Sequence, residues 1–140
     1  MAKEVRINFI KELLNELDKL VNEFYNTENE IRKLLIIVQI AEKIYKVVEE
    51  TIKHLSEINK IEANWNRQCA YQHAINEIYM KTKNKALAEK LNKTWRIAKD
   101  LLHIRVFHEV PYDNPELFDV TLENYKLLKE NVSKILSEEL

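Results

Sequence analysis

Apolar residues recur along this chain every three to four positions rather than every second one, so helices are the elements the pattern predicts. From about Lys3 to Tyr25, the residues Ile10, Leu13, Leu14, Leu17, Leu20, Val21 and Phe24 make one stripe, which turns a single face inward. Asn26 and Thr27 break that stripe, and Thr27-x-x-Glu30 reads as a capping box opening a second helix. The second helix extends to about Ile58. Its apolar positions (Ile31, Leu34, Leu35, Ile37, Val38, Ala41, Ile44, Tyr45, Val48, Ile52 and Leu55) cover an arc wide enough to meet neighbours on two sides, so it is expected at the centre. A shorter helix from roughly Trp65 to Lys81, a fourth from about Asn84 to Glu109 and a fifth from Pro115 onward complete the pattern. Asn114 as N-cap with Pro115 at the first helical position marks the last boundary.

The fourth helix carries the departures from simple amphipathicity. At about 100° per residue, Leu91, Trp95, Ala98, Leu101, Leu102, Ile104 and Val106 share an apolar arc, with Arg96, Lys99, Asp100, His103 and Phe107 opposite. Arg105 falls inside the apolar arc, where a guanidinium needs a partner. Glu42 and Glu49, at the edge of the second helix's arc, are the expected partners in a structural ion pair. Phe107 falls on the polar side, where a large ring calls for a cover, and this makes it the candidate contact of a homodimer.

Composition sharpens the fold. The 140 residues contain no glycine and only two prolines, so hairpin turns that need positive φ lack their material. The expectation is an all-α, up-and-down bundle of about five helices around a four-helix-bundle-like core, as one domain over residues 1–140. Net charge is −1, which excludes a uniformly basic nucleic-acid binder, but its distribution is uneven. Seven basic residues against one acid lie between Lys81 and Lys99, making Lys85, Lys93, Arg96 and Lys99 candidates for contact with phosphates. The longest apolar run, Leu34 to Ala41, is broken by Gln39 and is too short to span a bilayer, and no secretory pattern opens the chain, so a cytoplasmic location is expected. Cys69 is the single cysteine, which excludes an internal disulfide. Carboxylate–histidine pairs of the kind that hold metals in bundles are too few, and neither metal nor cofactor is expected.

Two segments resemble a known family. Val38 to Glu50 (V-Q-I-A-E-K-I-Y-K-V-V-E-E) together with Leu102 to Glu109 (L-H-I-R-V-F-H-E) are similar to the archaeal PaREP family, related to the HEPN superfamily of helical nucleotide-binding bundles. The resemblance implies a HEPN-like bundle that pairs as a homodimer and works as an RNase, as the partner of a nucleotidyltransferase, or as a nucleotide-binding module without catalysis. In the superfamily's RNases an arginine and a histidine on one helix hold a phosphate and move a proton at the ribose hydroxyl. Arg96-x6-His103 has suitable spacing, with Asp100 between, and His108 and Glu109 stand where the family motif has its histidine and glutamate. The expected function is therefore nucleotide or RNA binding, with metal-independent RNase activity through Arg96 and His103 as its catalytic form. The alternative is a non-catalytic interaction module of toxin–antitoxin type that binds a nucleotidyltransferase.

Overall fold

Lacking glycine, the chain folds as helices joined by polar breaks, and no strand forms among the described residues. The computed structural model describes residues 3–110, 114 and 116–137, with helical backbone continuing to 139. Helix α1 spans Lys3–Asn26, α2 Glu30–Ile58, α3 Ala70–Thr82, α4 Lys85–Arg96 and α5 Glu116–Glu139. α4 runs directly into a π-helix, Ile97–His108, so the two form one rod of an all-α bundle of five. α2 touches every other element, as its wide arc predicts. Its core begins at Ile36 and includes Ile37, Ile40, Ala41, Ile44, Val48, Ile52 and Leu55, whereas Ile31 and Leu35 in its first turns are exposed. Buried Thr51 and Ser56 donate their hydroxyls back to the carbonyls of Val47 and Ile52, which satisfies them inside the helix.

The helix ends differ from the expected boundaries in instructive ways. α2 is capped by Asn29, whose Oδ1 accepts from the Arg32 amide at 2.9 Å. Thr27 instead accepts from the Asn29 amide at 3.3 Å, so the cap lies two residues beyond the expected box, at the residue type that ranks higher as N-cap. At the other end, Ile61 N–H bonds to Ser56 O at 2.8 Å across Lys60, which takes φ 57°, a Schellman closure made without glycine. Lys81 donates to the carbonyls of Asn59 and Lys60, at 2.9 and 3.0 Å, so this lysine of the basic segment serves as a cap. α3 starts at Ala70 rather than near Trp65, because Asn64 accepts from the Asn66 amide and holds the preceding segment in a turn. Asn114 O accepts from Leu117 N–H ahead of α5, while Pro115 lies outside the described residues.

The buried ion pair of this bundle is not the expected one. Arg6, 6% exposed on α1, points at Glu50 of α2, which is 4% exposed, with Nη1 3.4 Å from Oε2. Its other nitrogen donates to Glu57 at 2.9 Å. Lys46 and Lys53 approach Glu50 from the solvent side at 3.3 and 3.6 Å. Arg105 by contrast is exposed, and Glu42 and Glu49 face other groups, which corrects the expected Arg105 pairing. The cause is the π register. Beyond Ala98 the buried positions fall every fourth residue, Leu102 and Val106, and this phase carries Arg105 and Ile104 outward, the latter 39% exposed.

Removing Arg6 takes away the interior partner of Glu50 and leaves it Lys46 and Lys53 on the solvent side, so Arg6→Ala is expected to cost about 2 kcal/mol, whereas Arg105→Ala should stay within about 0.5 kcal/mol. Denaturant unfolding of the two variants measures both. A pH effect follows from His54, wholly buried on α2 with neither ring nitrogen partnered. Burial, and then the charge of Lys3, hold its imidazole below the ordinary 6.5. The unfolded chain therefore binds this proton more readily, and stability is expected to fall as pH drops from about 6.5 towards the lower folded value. Melts of His54→Leu across pH 5 to 8 should show a shallower slope, with no loss at neutral pH.

Candidate functional site

Two cavities flank Tyr45, and the π-helix forms a wall of both. The larger, about 510 Å³, lies between the start of α3 and the junction of α4 with the π-helix. Tyr45, Gln68, Cys69, Tyr71, Gln72, Trp95, Arg96, Lys99 and Asp100 line it. The smaller, about 300 Å³, is bounded by Leu13, Glu42, Lys43, Tyr45, Lys46, Glu49, His103 and Phe107. A file of rings in contact, all stacked except the tilted Trp65–Tyr71 pair, separates and supports them. Trp65 lies 5.0 Å from Tyr71, Tyr71 4.7 Å from Trp95, Trp95 5.7 Å from Tyr45, Tyr45 4.0 Å from His103, and His103 5.7 Å from Phe107. Lys53 Nζ caps one end, 5.8 Å from the Trp65 ring and 6.0 Å from Tyr71.

The local sequence explains how these rings meet. Tyr45 projects from the middle of the central helix, and Trp95 lies on the buried face of the last turn of α4. Eight residues on, an α-helical phase would turn a side chain about 80° away from the Trp95 direction. The i→i+5 turns instead bring His103, and then Phe107 four residues later, round to face α2. The Glu109 amide bonds to Ile104 O at 3.0 Å and closes the last of these wide turns. On the α3 side, Gln72 donates to Asn92 at 2.7 Å, which fixes α3 to α4 at the cleft.

Electrostatics follow the same geometry. Burial, then the nearby Glu49 carboxylate, push the Tyr45 phenol up to about 12, and the same two causes push Tyr71 well above the ordinary phenol range. Both hydroxyls stay protonated. His103 is held below 6.5, first by burial and then by the charge of His108, whose Nε2 lies 3.1 Å from its own. Glu49 and Glu42 oppose that shift without cancelling it. His103 Nδ1 is buried with no partner.

The expected site residues divide between these places. Arg96, Lys99 and Asp100 share the larger cleft, whereas His103 lies in the smaller one beyond Tyr45. Arg96 and His103 therefore line different cavities, with the change of register at Ile97 between the two residues. His108 and Glu109 are exposed at the end of the rod, and His108 meets His103 rather than being oriented by Glu109. Lys85 pairs with Glu89 at 3.9 Å on the surface, and neither Lys85 nor Lys93 lines either cavity. Phe107 is half-buried against His103 and His108, so the chain itself covers part of the ring assigned to a dimer contact.

Tyr45, Tyr71, Trp95, Gln68 and Gln72 were not legible as site residues from periodicity. Trp65 and Tyr71 read as members of one helix, whereas Trp65 lies in the turn that precedes α3 and Tyr71 lies within α3, and the polar run Asn66–Gln68 is the available signal. No protein-family model, curated protein or solved structure matches this chain.

The proximity of the two imidazoles makes a titration test. His103 is expected to titrate below the ordinary histidine range by NMR. His108→Asn should move it part of the way back, since burial remains after the neighbouring charge is gone.

Proposed function

We propose that this chain is a nucleotide-binding module that takes a nucleoside phosphate, free or at the end of a single-stranded RNA, in the larger cleft. The observation that carries the reading is the company Arg96 and Lys99 keep, two cations on the rim of a 510 Å³ cleft whose deeper wall is Tyr71, Trp95 and Tyr45. Its volume suits a nucleotide. The faces of Tyr71 and Tyr45 are occupied by neighbouring rings, so these side chains offer the cleft their electropositive edges, which suit base carbonyls and phosphate oxygens. Gln68, Gln72 and Asp100 supply donors and acceptors for a base edge or a ribose hydroxyl. Because His103 stands in the other cavity, the reading is of binding without strand cleavage.

A protein-binding reading has one observation in its favour. Ile31 and Leu35, one turn apart at the start of α2, are 73% and 50% exposed. A second copy of the chain is the simplest cover, and light scattering at twice the chain mass would support it.

Cys69, the single cysteine, is exposed on the wall of the larger cleft and reports on its occupancy. Nucleoside mono- and triphosphates are expected to slow its reaction with a thiol reagent. Arg96→Glu and Lys99→Glu should each weaken that protection about tenfold or more, while Lys85→Glu should change it little. Affinity for a single strand should fall by roughly 0.7 log units per log unit of salt for each phosphate that the protein neutralises. Nucleotides that leave Cys69 reactivity untouched at low salt would remove the reading. RNA cleavage in chelator that disappears in His103→Ala would replace it with the catalytic one.

A further inference from the structure

His103 and His108 are five residues apart, a spacing that at about 100° per residue puts two side chains roughly 140° apart around an α-helix. The π register brings them together edge-to-face instead, with their Nε2 atoms 3.1 Å apart and their ring planes at 78°. Two imidazoles each about 2.05 Å from one cation and separated by this distance subtend about 98° at the metal. That angle lies between those of octahedral or square and tetrahedral coordination. We propose that His103 and His108 form a two-nitrogen chelate for a divalent transition cation of the Zn²⁺, Ni²⁺ or Cu²⁺ class, with its other positions open to water.

The surroundings favour a cation. Glu42 and Glu49 stand on the wall of the cavity that His103 lines. The two lysines there are engaged, Lys43 with Glu16 and Lys46 with Glu50, each at 3.3 Å. At 3.1 Å both imidazoles cannot carry Nε2 protons towards each other, so the cation competes with a single proton. Among the described residues no three of His, Cys, Asp and Glu converge, which makes this an open, exchanging site rather than a closed structural one. His103 Nδ1 finds no acceptor to orient the ring, although the flanking Tyr45 and Phe107 rings do so by stacking. Long π segments are rare and collect at functional sites, and the register here has a definite product, the meeting of these two nitrogens.

Calorimetric titration of the metal-free chain with Ni²⁺ and Cu²⁺ at pH 7.5 tests the proposal. One ion per chain is expected, with Cu²⁺ bound more tightly than Ni²⁺. Substoichiometric Ni²⁺ should broaden the ring signals of His103 and His108 before those of His73. His108→Ala, at an exposed position, should keep the helical circular dichroism and lose at least tenfold in affinity, whereas His73→Ala should change nothing. Equal affinity in the parent and in His108→Ala, or broadening that starts at His73, would overturn the proposal. Nucleotide protection of Cys69 in chelator does not involve the histidine pair, so failure here and failure of the nucleotide reading are told apart.

Discussion

The change from i→i+4 to i→i+5 bonding at Ile97 is the constraint on which the rest of this molecule's surface chemistry depends. Up to Trp95 the fourth rod buries its apolar residues at ordinary helical spacing. Beyond Ala98 it buries every fourth one, Leu102 and Val106. The wider turn rotates His103 and Phe107 onto the central helix and turns Ile104 and Arg105 outward. It also divides the polar face, leaving Arg96, Lys99 and Asp100 on one side of Tyr45 and His103 on the other. One register shift thus produces two cavities where a straight α-helix would offer one continuous polar stripe.

The central helix separates its acids by direction. Glu49 and Glu50 are sequence neighbours and so point about 100° apart. Glu50 turns to the buried Arg6 of α1, while Glu49 turns to the smaller cavity and adds to the effect of burial in raising the phenols of Tyr45 and Tyr71. Lys53 joins the two systems, lying 3.6 Å from Glu50 and over the rings of Trp65 and Tyr71. The ring file is therefore anchored to the ion network that holds α1 against α2. α5 is tied to α1 through Tyr125 and Lys129 to Asp18, whose carboxyl is held below its ordinary range by the Lys129 bond, and to α4 through Asn131 to Thr94.

With no glycine in the chain, the tight closures fall on Lys60, Cys69, Lys83 and Val110, all at positive φ. Each carries the steric cost of a side chain in the left-handed region. Cys69 opens α3 on the wall of the larger cleft, while Lys60, Lys83 and Val110 follow the ends of α2, α3 and the π-helix.

The all-α class, the central place of α2 and most of its core were legible in the sequence. Apolar periodicity reports burial directly whenever the turn is regular, and the absence of glycine removes the alternatives. The residues Arg96, Lys99, Asp100 and His103 were also legible as candidates, since polar side chains on an otherwise apolar helix stand out. Their grouping was not, because the segment Ile97–His108 does not keep the phase of about 100° per residue that an α-helix has. The ring file escaped for a related reason: Trp65, Tyr71, Trp95, Tyr45 and Phe107 come from four separate parts of the chain, and nothing in local spacing reports which rings will stack. Phase alone buries Arg105, whereas packing buries Arg6, whose partner lies 44 residues away in sequence, at Glu50. Local pattern determined which segments are helical and which way most of them face. Only the tertiary structure decided the register of the fourth rod, and with it which charges are buried, which histidines meet and where a ligand could sit.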